Sequence, residues 1–319
     1  MMNKIDLPNS SCWVVTEGLI GLRNQATGLA EALGVPYTLK EVRQPKSLWQ
    51  LLTDKRHITP PWPDMLISCG RRSVAASVAV RRASGNKTFT VHIQHPLINT
   101  RHFDLVIAPA HDKLRGDNVF VTQGALHHVT SEKLIRAADH FRSLLAPIPR
   151  PLISVLVGGK NRHQRFSDAS AHDLAQKLIL ATTTSGGGLA ISFSRRTGVR
   201  NEAILRRYLE GTPSIIWDGA GENPYFGFLA LADAIVVTSD SVSMISEACS
   251  TGKPVYIHEL PKGGRRHKSF CRNMIQGGYA RPFSGTIGNW QNIPLHETRK
   301  AADFIAERYL ARMPLAAVR

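Results

Sequence analysis

Four short stretches of this sequence carry residue types suited to handling a phosphorylated ligand. Val157-Gly158-Gly159-Lys160 joins two glycines, which let backbone amides approach an anion, to a cation. Its spacing is not that of a Walker A loop, and a plain turn would give the same letters. Ser192-Phe193-Ser194-Arg195-Arg196-Thr197 sets two arginines among hydroxyls, a pattern that binds a diphosphate through charge-assisted hydrogen bonds. Solvated surface arginines are the plainer reading. Thr238-Ser239-Asp240-Ser241-Val242-Ser243-Met244 runs out of an apolar stretch into a Ser-rich loop, with a helix expected from near Ser243. Free amides at a helix start, with hydroxyls beside them, form a phosphate site. Glu247 falls one turn inside that helix, placed to accept hydrogen bonds from ribose hydroxyls. A capping box on Ser243 is compatible with this, although its spacing is imperfect.

The fourth stretch, Glu17-Gly18-Leu19-Ile20-Gly21-Leu22-Arg23-Asn24-Gln25, is glycine-containing but not GxGxxG. No acidic residue is clearly placed at the end of a second strand, so a dinucleotide site is not expected. It reads as the floor of a cleft, contacting an acceptor or the sugar being moved. Among the 13 histidines, His95 in Gln94-His95-Pro96 and His111 beside Asp112 follow strand-like runs and are candidates for the same cleft. His127, His128 and His163 read as surface residues. There is no HExxH pattern, no GxSxG elbow and no reactive-cysteine context, so neither a bound metal nor acyl-transfer chemistry is expected. Cys12, Cys69, Cys249 and Cys271 are scattered and never form CxxC, which argues against a disulfide framework.

These loops need strands and helices to hold them. Cys12 to Thr16 reads as a strand, and Asn24 to Leu33 as an amphipathic helix ended by Gly34 and Pro36. Strand-like runs follow at Thr38 to Val42, Met65 to Ser68, Thr88 to Ile93, Leu105 to Ala108 and Val119 to Thr122. Ser73 to Arg82 and a segment from near Ser131 read as helices. Ala146 to Pro151, with three prolines, then breaks the chain. A second series of runs comes after it: Leu152 to Val157, Leu189 to Ser194, Ser214 to Trp217, Ala234 to Thr238 and Val255 to His258. Near-continuous apolar strands alternating with helices mark parallel sheets covered on both faces. The expected division is 1–146, a linker at 147–151, 152–295, and a C-terminal helix and tail at 296–319, with Ala302, Ile305, Ala306 and Leu310 on one helical face.

Charge adds a constraint. Of 319 residues, 40 are Lys or Arg and 24 are Asp or Glu, a formal net charge of +16. Such a surface attracts polyanions. The cations lie in short clusters, including Lys262 to Lys268, without the aromatic or zinc-finger patterns of nucleic-acid binders, so nucleic acid is disfavoured. A phosphorylated substrate or an anionic membrane surface suits the charge better. Met1 to Ser11 carries no apolar signal segment and no run is long enough to span a bilayer, so a cytoplasmic protein is expected, peripheral at most.

Taken together, Thr16-Glu17-Gly18 through Gln25, Ser68-Cys69-Gly70-Arg71-Arg72, Phe103-Asp104, Pro109-Ala110-His111-Asp112, Gly158-Gly159, Ser194 to Thr197, and Asn223-Pro224-Tyr225 through Pro254 resemble a known family. It is that of the bacterial relatives of the plant "elongated mitochondria" fission protein, whose members look like GT-B glycosyltransferases. The resemblance implies an α/β fold of two Rossmann-like β/α domains facing a cleft, with a C-terminal helix crossing back to the first. It implies a nucleotide-sugar donor on the second domain, needing no metal and no further cofactor. Glu247 would hold the ribose. Ser241, Ser243 and the Met244 amide would hold the diphosphate, within a donor loop set that also takes in Gly158, Gly159, Ser194 and Asp240. Lys160, Arg195 and Arg196 would neutralise the leaving group. Gly18, Gly21, Arg23, Asn24, Gln25 and His95 would meet a glycan or lipid-linked acceptor. Many bacterial members carry Gly-His in the first loop, where this sequence has Gly21-Leu22. The catalytic base is therefore open between Glu17, the His95 and His111 loops, and no protein base at all. A non-catalytic scaffold of the same fold is the alternative.

Overall fold

Every strand among the described residues is short and parallel to its neighbours, and most are apolar. The computed structural model describes residues 7, 10–42, 59–160, 166–261 and 264–312, so the expectations for His163 and Lys262 lie outside the described residues. Contacts divide the chain into two units, Met1–His128 with His296–Arg319, and Val129–Leu295.

In the first unit, β1 (Cys12–Thr16), β2 (Tyr37–Glu41), β3 (Met65–Cys69), β4 (Phe89–Ile93), β5 (Leu105–Pro109) and β6 (Val119–Thr122) form one sheet in the order β2-β1-β3-β4-β5-β6. All pairs are parallel, with Cys12 opposite Met65 and Thr16 opposite Cys69. Helices α1 (Ile20–Leu33) and α2 (Ser73–Ala83) belong to this sheet. β3 and β4 are buried at every position because helices cover both faces.

The last helix, α9 (Glu297–Arg312), returns to this unit. Its Ala301, Ala302, Ile305, Ala306 and Tyr309 join Val14, Ala26, Leu29 and Leu33 in one core. Tyr309 takes the place expected of Leu310, which is only half-buried. Its hydroxyl lies 3.0 Å from Ser10 Oγ, and Arg312 pairs with Asp104 at 2.9 Å. His127, expected at the surface, is 4% exposed. Its backbone bridges both helices: its N–H donates to Thr298 Oγ1 at 3.0 Å, and a Cβ on Gly28 of α1 would lie 2.5 Å from its carbonyl oxygen.

In the second unit, β7 (Leu152–Val157), β8 (Gly188–Phe193), β9 (Ser214–Ile216), β10 (Ala234–Thr238), β11 (Val255–His258) and the two-residue β12 (Arg281–Pro282) form a sheet in the order β12-β11-β10-β7-β8-β9. This is the dinucleotide-fold order, and the first sheet has the flavodoxin-like one. Helices α3 (Ser131–Leu145), α4 (Asp168–Ser185), α5 (Val199–Tyr208), α6 (Tyr225–Leu231), α7 (Val242–Cys249) and α8 (Arg265–Gln276) complete the unit.

The division precedes α3 rather than following it at the proline stretch. The reason is packing. Leu145 shares a core with Leu152, Ala190 and Phe228, and a Cβ on Gly227 of α6 would lie 2.6 Å from Phe141. α4 shows why a helix forms and where it stops. Ser167 accepts from the Ser170 N–H at 3.3 Å, Ala171, Leu174, Ala175, Leu178 and Ala181 line its buried face, and Gly186 ends it at φ 70°.

Candidate functional site

Strand order reverses between β7 and β10 in the second unit, the place where open sheets of this kind bind ligands. Here that crevice is filled by protein. The Gly158 N–H donates to Thr238 Oγ1 at 2.7 Å, and the Gly159 N–H to Asp240 Oδ2 at 2.8 Å. Thr238 Oγ1 donates to Asp240 Oδ1 at 2.7 Å, and Arg196 reaches Oδ2 at 3.3 Å. A Cβ on Gly158 would lie 2.2 Å from Asp240, and one on Gly159 would lie 2.0 Å from the Arg196 carbonyl oxygen.

The paired glycines were expected to offer amides to an anion. Instead those amides are spent on Thr238 and Asp240, and their missing side chains admit three loops into one joint. Burial raises the Asp240 carboxyl, against the pull of the Gly159 amide, Thr238 and Arg196. It is a structural tie, and a carboxylate is poorly suited to face phosphate.

The surface around this joint is available. The Ser194 N–H donates to the Val157 carbonyl at 2.8 Å, and Ser194 Oγ accepts from the Arg196 N–H at 3.2 Å, which turns the loop. Arg195 is exposed and makes no ion pair among the described residues. Lys160 is exposed, with its N–H bonded to the Arg196 carbonyl at 3.0 Å.

α7 begins at Val242, a turn-residue earlier than expected, because Ser241 and not Ser243 is its cap. Ser241 Oγ accepts from the Met244 N–H at 3.4 Å. The Val242 and Ser243 amides precede any intrahelical acceptor and donate to none among the described residues, while Ser243 and Met244 are half-buried. Farther along α7, Glu247 is 6% exposed, and its Oε2 accepts the Tyr225 hydroxyl. Oε1 takes no hydrogen bond among the described residues. Burial pushes this carboxyl up to about 7, opposed by the Tyr225 bond. Tyr225 lies 22 residues away on α6, and no short motif marks the two as partners. Its only local signal is Asn223-Pro224 before it, where Asn223 Oδ1 accepts the Tyr225 N–H at 3.0 Å.

In the first unit the reversal lies between β1 and β3. Glu17 ties these loops. Its Oε1 accepts the Arg72 N–H at 2.8 Å, and Oε2 stands 3.6 Å from Arg72 Nε. Gly18 (φ 75°) turns the chain into α1, its N–H bonded to Thr16 Oγ1 at 3.3 Å.

The helix starts at Ile20, so Gly21, Arg23, Asn24 and Gln25 lie on its first turns and not in a loop. Gly21 and Arg23 are exposed, Asn24 is half-buried and Gln25 is 6% exposed. His95 is half-buried, and its Nδ1 accepts the Leu97 N–H at 3.0 Å. This holds Leu97 at φ 62°, a left-handed conformation costly for a leucine, with its side chain 53% exposed. Leu19, Ile20 and Ile98 are also exposed at this edge. His111 and Asp112 are half-buried after β5. Among the described residues no group of three His, Cys, Asp or Glu side chains could hold a metal, and no helix is long and apolar enough to cross a membrane.

Residues 20–309 match the family described as mitochondrial fission ELM1. The chain belongs to the mitochondrial fission ELM1 family. It is 33% identical over 277 residues to the mitochondrial fission protein ELM1 of Arabidopsis thaliana, covering 78% of this chain. The match spans 65% of that relative, just under two thirds of its length. An uncharacterized protein of Rickettsia prowazekii is 27% identical, covering 92% of this chain and 97% of its own.

Solved structures show that this ELM1-family chain has the fold shared by GT-B glycosyltransferases and sugar-nucleotide epimerases. The Methanocaldococcus jannaschii UDP-GlcNAc 2-epimerase, in complex with UDP-GlcNAc and UDP, superposes with a TM-score of 0.54 at 11% identity, covering 95% of this chain and all (100%) of that one. Acinetobacter baumannii MurG superposes with a TM-score of 0.50 at 14% identity, covering 96% of this chain and 94% of that one. At such identity the likeness establishes the fold alone.

Proposed function

We propose that this ELM1-family chain is a glycosyltransferase, moving a sugar from a nucleotide-sugar to a cell-envelope or lipid-linked acceptor without a metal. The observation that carries the reading is the start of α7. Two amides and a carboxylate oxygen of buried Glu247, none bonded among the described residues, stand with the Ser241 and Ser243 hydroxyls at this helix start, which Asp240 ties to the Arg195-Arg196 loop. A diphosphate fits the amides and arginines, and a ribose diol fits Glu247 Oε1.

Arg195, Arg196 and Lys160 would neutralise charge as it gathers on the departing nucleoside diphosphate, a role metal ions fill in other enzymes. Arg196 does so while bridging to Asp240, and Gly158, Gly159 and Asp240 act by holding the loops. The first unit's edge, with Glu17, Gly18, Gly21, Arg23, Asn24, Gln25 and His95, is the place for the acceptor. That solved relatives of the same fold carry UDP-GlcNAc and UDP supports the donor class. The net charge of +16 supports work at an anionic membrane surface.

The test is a thermal-shift screen of the full chain against UDP, GDP, ADP, dTDP and CMP and their sugar conjugates. A ligand at about 100 times its Kd stabilises by roughly 2.7 kcal/mol. A response to one nucleotide, lost in Glu247→Ala, is the expected result. Silence throughout overturns the reading. It would favour a scaffold, for which the exposed Leu19, Ile20, Leu97 and Ile98 and the plant relative's name speak. Product analysis then separates transfer from epimerisation.

A further inference from the structure

Tyr225 is the one polar partner of the Glu247 side chain among the described residues. The two stand on different helices, α6 and α7, and packing holds those helices in place without the bond. Leu229 of α6 shares a core with Ile245 and Ala248 of α7, and the Tyr225 ring packs against that core. Phe228 pins the other side of α6 in a core with Leu145 and Leu152, and Gly227 admits Phe141.

A carboxylate has room for about four hydrogen bonds. Glu247 takes one, on Oε2. Its Oε1 accepts none among the described residues, and it is not one of the unpaired side-chain atoms sealed from water. One oxygen is thus tied inside the fold and the other is left for something that arrives from outside.

The direction of the bond is fixed. Burial first, then Glu247, raises the Tyr225 phenol well above its ordinary range, so it stays protonated and donates. Burial raises Glu247 to about 7 while the Tyr225 bond pulls it down, so the hydroxyl favours the ionised carboxyl, the stronger acceptor. No charged side chain shares in this. Asp240, before α7, is held by Gly159, Thr238 and Arg196, and Glu222, before α6, pairs with His140 at 2.9 Å. Lys253, after α7, donates to the Ala232 carbonyl at 2.5 Å, and burial keeps the Cys249 and Cys271 thiols protonated.

We propose that Tyr225 is a positioning residue of the donor site, its hydroxyl fixing Oε2 of Glu247 and leaving Oε1 to accept the ribose hydroxyls of the nucleotide. This rests on the donor reading given above. A glutamate tied at one oxygen has less freedom to lose when a ligand arrives. Because the ionised form accepts best, affinity rises with pH as Glu247 loses its proton, and removing the Tyr225 hydroxyl moves that rise to higher pH.

The experiment is calorimetric titration of the full chain, Tyr225→Phe and Glu247→Gln with UDP-N-acetylglucosamine, GDP-mannose and ADP-glucose, from pH 5.5 to 8.5. These probes lack the free terminal phosphate that would itself ionise near pH 6. Tyr225→Phe deletes one oxygen and keeps the ring that packs on the shared core. For a probe that binds, the expected parent affinity rises through about pH 7. The Tyr225→Phe rise lies about one pH unit higher, the scale of one hydrogen bond to a charged group. That variant therefore binds about tenfold more weakly at pH 6.5 and within about twofold of the parent at pH 8.5, and Glu247→Gln is flat across the range. A Tyr225→Phe profile that coincides with the parent's, or lies below it by one factor at every pH, overturns the proposal and leaves the donor reading standing. A flat parent profile, with Glu247→Gln binding as the parent does, overturns the placement of the ribose on Glu247. Failure of the parent to bind any of the three probes overturns the donor reading itself.

Discussion

The two places where strand order reverses are built alike and finished differently. In each, a carboxylate from one loop ties down a neighbour: Asp240 in the second unit, Glu17 in the first. Asp240 has a fully buried side chain (0% exposed) held by an amide, a hydroxyl and a guanidinium. Glu17 is 10% exposed, and its guanidinium partner, Arg72, is 48% exposed. The first arrangement is closed on itself, and the second leaves an open edge with Leu19, Ile20, Leu97 and Ile98 in water. One fold can thus carry a fixed joint in one unit and a looser edge rimmed with exposed apolar side chains in the other.

The contrast can be broken by substitution. Gly159→Ala should do the most damage, about 3 kcal/mol in urea unfolding, because its methyl would sit 2.0 Å from a backbone oxygen that cannot move freely. A loss below about 1 kcal/mol would mean the joint is looser than described.

Next is a pH effect. Glu247 is raised from 4.5 to about 7, so between these values the folded state binds more protons than the unfolded one. Stability falls as pH rises through that window, by roughly 3 kcal/mol at most, and Glu247→Gln should flatten the profile. Unfolding at pH 5 and pH 7.5 reads it directly.

Asp240→Ala should cost about 2 kcal/mol by stranding the Gly159 amide and Thr238, against about 1 kcal/mol or less for Glu17→Ala at the wetter edge. Equal costs would erase the distinction between the two joints. Gly21→Ala, on the exposed face of α1, should stabilise by about 0.5–1 kcal/mol in the same assay. The smallest effect belongs to Arg195→Ala: within about 0.5 kcal/mol in stability, with turnover in the proposed transfer falling more than nucleotide affinity.

What was legible in the sequence followed from how local its cause was. β6, β7, β10 and β11 stand out as apolar runs, and the structure gives them the same bounds. α1 starts at Ile20 and not at Asn24, after an Ncap, Leu19, whose side chain makes no capping bond and so leaves no mark of the start. α7 offers two serines that could cap it, and only the backbone path selects Ser241. Paired glycines mark close approach without saying what approaches, so Gly158 and Gly159 looked like an anion cradle when the neighbours were Asp240 and Arg196. Tyr225 with Glu247, and His258 with Asp173, are meetings across the fold that no spacing encodes. The two-residue β12 has too few residues to show a pattern.

The return of α9 to the first unit sets an order of events during synthesis. The core around Val14, Leu29 and Leu33 lacks Ala301, Ile305 and Tyr309 until all of Val129–Leu295 has left the ribosome. At about 5–20 residues per second that is a wait of roughly ten seconds or more, during which the second unit can finish. The first part of the chain to be made is therefore the last to be sealed, and a nascent chain stalled near Leu295 would carry a complete second unit beside a first one still open along α1.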